Sequence, residues 1–257
     1  MKVIILAGGF GTRLEEETST IPKPMVEIGG KPILWHLMKH YAHFGFNEFF
    51  LALGYKGNVI KDFFMKYPTL SNNFTVDIKT GTIKEYKEIK EDWIVHLIDT
   101  GLNSMTGGRV KRLEKWVSDE TFMLTYGDGL SNINLKELLE FHQKHGKFAT
   151  ITAVRPPARF GELIFNNDFV INFTEKPLTT ESWINGGFFV LEPEVFDYIK
   201  DDMTIWEREP LENLAKENQL VGYRLEGFWQ CMDNLRDLRY LRSLWDSGNP
   251  PWKLWEE

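Results

Sequence analysis

Met1-Lys2-Val3-Ile4-Ile5-Leu6-Ala7-Gly8-Gly9-Phe10-Gly11-Thr12-Arg13-Leu14, followed by Pro22-Lys23-Pro24, is the stretch on which the fold turns. Lys2 to Ala7 is apolar after its first residue, too short for a membrane span, and bounded by glycine. It reads as a buried strand. The strand delivers the chain into a turn with three glycines. There the backbone can approach a ligand and point several N–H groups inward, which suits a triphosphate. Arg13 offers a fork of donors for phosphate oxygens, and Lys23, between two prolines, is a stiffly presented point charge. A dinucleotide-binding turn would need a third glycine where Leu14 stands, and no Gly-Lys-Ser/Thr follows to make a Walker A loop. A purely structural turn has no need of both Arg13 and Lys23.

Outward from this turn, strand and helix patterns alternate. Pro32 to Phe44 reads as a helix with Ile33, Leu34, Leu37, Met38, Tyr41 and Phe44 at helical spacing, and a proline suits its first position. Glu48 to Leu53 reads as a strand and Asn58 to Tyr67 as a helix. Thr121 to Tyr126 is a strand again. A helix follows from Asn134, a fitting N-cap, to His145, with Gly146 as its stop. Lys147 to Val154 is another strand. The rhythm predicts a Rossmann-like α/β fold, a mostly parallel mixed sheet flanked by helices.

Two segments break the rhythm. Phe74 to Asp99 reads as a hairpin-like insertion turning at Gly81. Leu163 to Thr174 reads as a hairpin around Asn166-Asn167-Asp168. Together they predict a small hairpin-rich portion beside the sheet. Pro250 to Trp255 is too aromatic for a free tail and is expected to dock on the domain or on a neighbouring subunit. With no repeat or low-complexity linker, residues 1–257 read as a single domain.

Hydrophobic residues make up 42% of the 257, enough for a sizeable core and against disorder. Net charge is -7, with no Lys/Arg block of the kind a general nucleic-acid binder carries. Polyanionic substrates would then need local positive charge or a metal. The single cysteine, Cys231, cannot form an intramolecular disulfide, which suits a reducing compartment. It reads as a small buried hydrophobe rather than a nucleophile. No stretch reaches membrane length, so a soluble cytoplasmic protein without a membrane or nucleic-acid partner is expected. His36, His40 and His43 fall on one helix stripe, read as a packing edge or subunit contact before a zinc site. His142 and His145 suit the negative end of a helix dipole.

Asp128, in Tyr126-Gly127-Asp128-Gly129, lies just past an apolar strand, where α/β folds place ligand chemistry. Asp233 comes late, in Trp229-Gln230-Cys231-Met232-Asp233. Two carboxylates with phosphate oxygens and water would suit magnesium. Taken alone, each aspartate is also a fair turn or cap residue, Asp233 above all.

The glycine turn with Pro22-Lys23-Pro24 resembles the signature of the sugar-phosphate nucleotidyltransferases, or nucleotide-sugar pyrophosphorylases. The likeness runs along essentially the whole chain. More specific are Asp99-Thr100-Gly101 through Ser104-Met105-Thr106-Gly107-Gly108-Arg109, Thr125-Tyr126-Gly127-Asp128-Gly129, Asn185-Gly186-Gly187-Phe188-Phe189 and Phe228-Trp229-Gln230-x-Met232-Asp233. These are similar to the members that transfer a cytidylyl group from CTP to α-D-glucose 1-phosphate.

The resemblance implies that Leu6, Ala7, Gly8, Gly9, Phe10, Gly11, Thr12, Arg13, Lys23, Ser104, Arg109 and Asp128 bind the nucleotide. Arg13, Lys23 and Asp128 would be catalytic, and Asp128 and Asp233 would hold Mg2+. Glu175, Lys176, Asn185 and Gly187 would bind the sugar phosphate. It further implies a homo-oligomer, often a hexamer, for which the Phe74 to Asp99 insertion is our candidate contact region. The product would feed CDP-linked sugars of lipopolysaccharide O-antigen.

Chemistry alone leaves the base open. Arginine only donates, and cytosine O2 and N3 accept, whereas uracil and thymine present N3–H. Guanine O6 and N7 also accept. Another nucleotide or sugar phosphate is the nearest alternative. A non-catalytic nucleotide-sugar-binding protein on this fold would be expected to lack Arg13, Lys23, Asp128 or Lys176, and all four are present.

Overall fold

The computed structural model describes residues 1–86, 91–156, 162–174 and 182–256. Seven strands form the main sheet: β1 (Lys2–Leu6), β2 (Glu48–Leu53), β3 (Ile94–Asp99), β4 (Phe122–Tyr126), β5 (Ala149–Val154), β6 (Ile184–Leu191) and β7 (Leu220–Leu225). Their order is β7-β5-β6-β4-β1-β2-β3. β1 pairs in parallel with both β2 and β4, β2 with β3, and β5 with β7. Only β6 runs antiparallel, between β5 and β4. The sheet is mostly parallel and mixed, as the sequence rhythm predicts.

Alternation along the central strands divides the core in two. Val3 and Ile5 face one side with Phe49, Leu51, Met123, Phe188 and Val190. Ile4 and Leu6 face the other with Phe50, Ala52, Phe122, Leu124, Phe189 and Leu191. Helices cover both sides. The first side receives α1 (Ile33–His43), α2 (Gly57–Leu70), α4 (Leu135–His145) and α6 (Leu235–Asp246), and the second α3 (Thr106–Lys111) and α5 (Glu209–Lys216).

Several expectations hold closely. Asn134 caps α4 by accepting from Lys136 N and Glu137 N, and Gly146 ends it. Glu162–Asn166 and Phe169–Thr174 form the expected hairpin, with Asn167 at positive φ. The C-terminal aromatics dock on the domain: Trp252 is 0% exposed and stacks on Phe228 and Trp245.

Others are corrected or sharpened. Ile94–Asp99 is no part of an insertion but the edge strand β3, so only Asn73–Asp77 and Thr82–Tyr86 form the separate hairpin. An edge strand is half-covered, and its mixed pattern resembles that of a hairpin. Pro32 is the N-cap of α1 rather than its first residue. α2 runs on to Leu70 with Pro68 in its last turn, where a missing N–H removes only one hydrogen bond. His36 and His40 are buried on the core side of α1, and His43 is exposed, the arrangement of a packing edge. His142 is buried and bonds Thr150 Oγ1 at 2.8 Å and Glu192 Oε1 at 3.0 Å, so it ties α4 to the sheet. Among the described residues no helix is long and apolar enough to cross a membrane.

Candidate active site

The carboxyl ends of β1 and β4 open onto a cleft of about 1180 Å³, where parallel strands point their carbonyls and loops diverge. The glycine turn forms one wall. Leu6 O accepts from Gly127 N at 3.0 Å, and Gly8 O accepts from Tyr55 N at 3.1 Å, which pins the turn between two loops. Gly8 admits no side chain: a Cβ there would lie 2.4 Å from Arg109 Nη1 and 2.9 Å from Gly54 N. Phe10 is exposed at the rim with its ring 5.3 Å from that of Tyr55. The backbone of Arg13 lies in the short turn Thr12–Leu14, and its side chain is outside the described residues.

Three charged groups meet on the floor. Pro22 presents Lys23 at the start of a 3-10 turn. Asp128 follows β4, just before the short strand Gly129–Ser131. Trp229–Cys231 pairs antiparallel with that strand, Cys231 opposite Gly129, and so carries Asp233 to the side of Asp128. Lys23 Nζ donates to Asp128 Oδ2 at 2.5 Å and to Asp233 Oδ1 at 2.8 Å. Burial alone would pull the lysine pKa down. The Asp128 and Asp233 carboxylates outweigh it and hold the pKa above the ordinary value. The cap reading of Asp233 does not hold: Asn234 accepts from Asp237 N as the N-cap of α6, and Asp237 Oδ2 accepts from Asp233 N.

The donor set fits a small divalent cation. Two carboxylates already converge on one positive centre, and magnesium is commonly held by one or two carboxylates plus substrate oxygens and water. Among the described residues no third His, Cys, Asp or Glu joins them, so the remaining ligands would come from substrate and solvent. Cys231 lies between the aspartates in sequence and lines the cleft. Burial, and then the Asp233 and Asp128 charges, push its thiol up to about 12, which keeps it neutral and unreactive.

Arg109 forms the back of the cleft, and it is no surface charge, being 4% exposed. Its guanidinium is already engaged. Nη1 donates to Leu53 O, Thr100 Oγ1 and Gly101 O at 3.1, 2.9 and 2.7 Å, and Nη2 to Leu102 O at 3.2 Å. It braces the 100–102 loop against Gly8 and keeps a second Nη2 hydrogen. Burial lowers its pKa from the ordinary arginine value. Ser104 donates to Thr100 O and completes that brace.

Thus Leu6 to Thr12, Lys23, Ser104, Arg109, Asp128, Asn185 and Asp233 share one cleft. Gly187 stands one layer behind it. Its φ is +80°, and a Cβ would lie 2.5 Å from the Tyr126 ring. It supports the wall rather than lining it. Glu175 and Lys176 are outside the described residues. Sequence reasoning assigned no role to Tyr126, Glu207 or Arg236, which also line the cleft. Tyr126 sits in a quoted motif. Nothing local marks Glu207, whose partners Tyr126 and Thr106 are 81 and 101 residues away.

A mostly parallel sheet with a glycine turn, a lysine and two aspartates at its carboxyl edge is the arrangement of a nucleotide-handling enzyme, and a family comparison agrees. The model of the nucleotidyl transferase family matches residues 2–234, and the chain belongs to that family. Glucose-1-phosphate cytidylyltransferase of Salmonella typhimurium is 51% identical over 257 residues, covering all of both chains. Probable glucose-1-phosphate cytidylyltransferase of Bacillus subtilis is 46% identical over 256 residues, covering 99% of this chain and 100% of that one. Among solved structures, HddC from Yersinia pseudotuberculosis superposes with a TM-score of 0.68 at 25% identity, covering 95% of this chain and 99% of its own.

Proposed function

We propose that this chain transfers a cytidylyl group from CTP to α-D-glucose 1-phosphate, giving CDP-glucose and pyrophosphate. The observation that carries the reaction type is the meeting of Lys23, Asp128 and Asp233 beneath the glycine turn. The substrates are those in the names of relatives 46–51% identical along the full chain.

The sugar phosphate is an anion at neutral pH, so no strong base is required of the protein. Its oxygen attacks the α-phosphorus in line, and pyrophosphate leaves. The protein positions the partners and neutralises charge. Amides of the turn from Gly8 to Thr12 receive the phosphates. Lys23, held protonated, faces the α-phosphate, and the resemblance assigns Arg13 to the leaving group. Glu175 and Lys176 take the sugar 1-phosphate, with Asn185 at the hexose. Asp128 and Asp233 would hold Mg2+, which would supply further neutralisation of phosphate charge. The second Nη2 hydrogen of Arg109 is the donor offered to cytosine. We further propose one domain over residues 1–257, a cytoplasmic location and a homo-oligomer.

Pyrophosphate release with glucose 1-phosphate and magnesium, compared for CTP, UTP, dTTP and GTP, tests the assignment. Release with CTP alone is expected. Equal release with UTP or GTP would overturn the base assignment and leave the reaction type standing.

A further inference from the structure

One carboxylate in the cleft has no part in phosphate or metal binding as described above. Glu207 follows Trp206, which is fully buried in the second core. Its Oε1 accepts from Tyr126 OH at 2.6 Å, and its Oε2 accepts from Thr106 Oγ1 at 2.6 Å. Tyr126 OH in turn accepts from Asn185 Nδ2 at 3.2 Å, and Asn185 Oδ1 accepts from Gly187 N at 2.8 Å. Thr106 Oγ1 accepts from Trp206 N at 2.9 Å. Every donor in this chain therefore points toward Glu207, from two directions. One arm begins α3, the helix that carries Arg109. The other joins the end of β4, beside Asp128, to Asn185 at the start of β6.

The segment holding Glu207 is stitched to the nucleotide loop along its length. Met105 N donates to Asp202 O at 2.8 Å and Gly108 N to Thr204 O at 3.2 Å. Arg112 grips Asp202 with Nε at 2.8 Å and Nη2 at 2.5 Å. Both oxygens of Glu207 accept from protein hydroxyls, and a carboxylate has no donor to offer a phosphate directly. What it offers, although the residue itself is exposed, is two acceptors that meet two hydroxyls at once. Both hydroxyls already accept an N–H from elsewhere, so each needs an acceptor to receive its own proton. A carboxylate satisfies both arms, whereas an amide presents N–H to one of them and breaks it.

We propose that Glu207 is a positioning residue, a clasp that holds the nucleotide loop and the sugar side of the cleft in register through Thr106 and Tyr126. This rests on the cytidylyl-transfer reading above. Aligned partners are where much of the rate resides in such chemistry, and a displacement of about 1 Å costs on the order of a hundredfold.

The test is a kinetic grid over CTP and glucose 1-phosphate for the wild type, Glu207→Gln, Tyr126→Phe and the double variant, with CTP binding alone followed by calorimetry. In Glu207→Gln we expect kcat to fall about 10- to 100-fold and KM for the sugar phosphate to rise. The Kd for CTP alone should stay within about threefold, the scale of effects expected outside the contact itself. The double variant should be no worse than the poorer single variant, because both changes cut one chain of bonds. Thermal unfolding of Glu207→Gln near the wild-type midpoint would exclude misfolding as the cause. Unchanged kinetics in an active background would overturn the proposal. So would fully additive losses, or a loss of CTP affinity as large as the loss of rate, which would make Glu207 a prop for the nucleotide loop alone. A wild-type chain releasing no pyrophosphate with any nucleotide would instead sink the cytidylyl-transfer reading, and this proposal with it.

Discussion

Gly8 and Lys23 show how narrowly single residues are constrained here. A methyl at Gly8 meets Arg109, whose guanidinium is held by four oxygens, and a backbone nitrogen of Gly54 that cannot retreat. Gly8→Ala should raise KM for CTP about tenfold or more while the sheet still forms; steady-state kinetics with a circular dichroism spectrum check both parts. Lys23→Gln should lower kcat by roughly 10² to 10³, the range for losing one charge-stabilising donor. A kcat within threefold of wild type would remove Lys23 from the reaction. These residues were legible because their chemistry is local: glycines after a strand, a lysine between prolines, an aspartate past a strand end. Asp233 and Glu207 were harder. Asp233 becomes meaningful only through the pairing of Trp229–Cys231 with Gly129–Ser131, and Glu207 only through bonds to residues far off in the chain.

At the scale of elements, α1 carries a built-in sensitivity to acid. Burial, followed for His36 by the Lys253 and Lys31 charges, lowers the pKa values of His36 and His40 to about 4 from 6.5. Between those values the unfolded chain takes up protons that the folded chain refuses. The stabilisation is thus complete above pH 6.5 and is lost as pH falls toward 4, on the order of a few kcal/mol in all. Urea unfolding at pH 7.5, 6.5 and 5.5 should show the decline, and His40→Leu should flatten it. Equal slopes for wild type and variant would contradict this. α1 itself was plain in the sequence because its apolar spacing is strong. β6 was not, since its antiparallel direction depends on where the preceding hairpin returns the chain. β3 was mistaken for part of an insertion because an edge strand lacks the continuous apolar run of β1 or β2.

Across the whole molecule, the hairpin Asn73–Asp77 and Thr82–Tyr86 stands out. Val76 pairs with Ile83 across it, and both are exposed, with Ile78 at 88%. Such a surface is what a neighbouring copy would cover in the proposed homo-oligomer. Ile78→Lys with Ile83→Lys should lower the mass measured by light scattering without lowering the thermal midpoint. A wild-type chain already of monomer mass would end that proposal.

The one antiparallel strand of the main sheet has a consequence for how the chain is made. β6 fills the place between β4 and β5, yet both neighbours leave the ribosome before it. As synthesis proceeds, β1, β2, β3 and β4 can zip together as a parallel block. They wait with the β4 edge bare until Ile184–Leu191 arrives, and only then can β5 and β7 join the same sheet. A nascent chain stalled in that interval presents an apolar edge to other chains. Slowed synthesis between Val154 and Leu191 is therefore expected to raise the aggregated fraction, and equal soluble yields at normal and slowed elongation would contradict this.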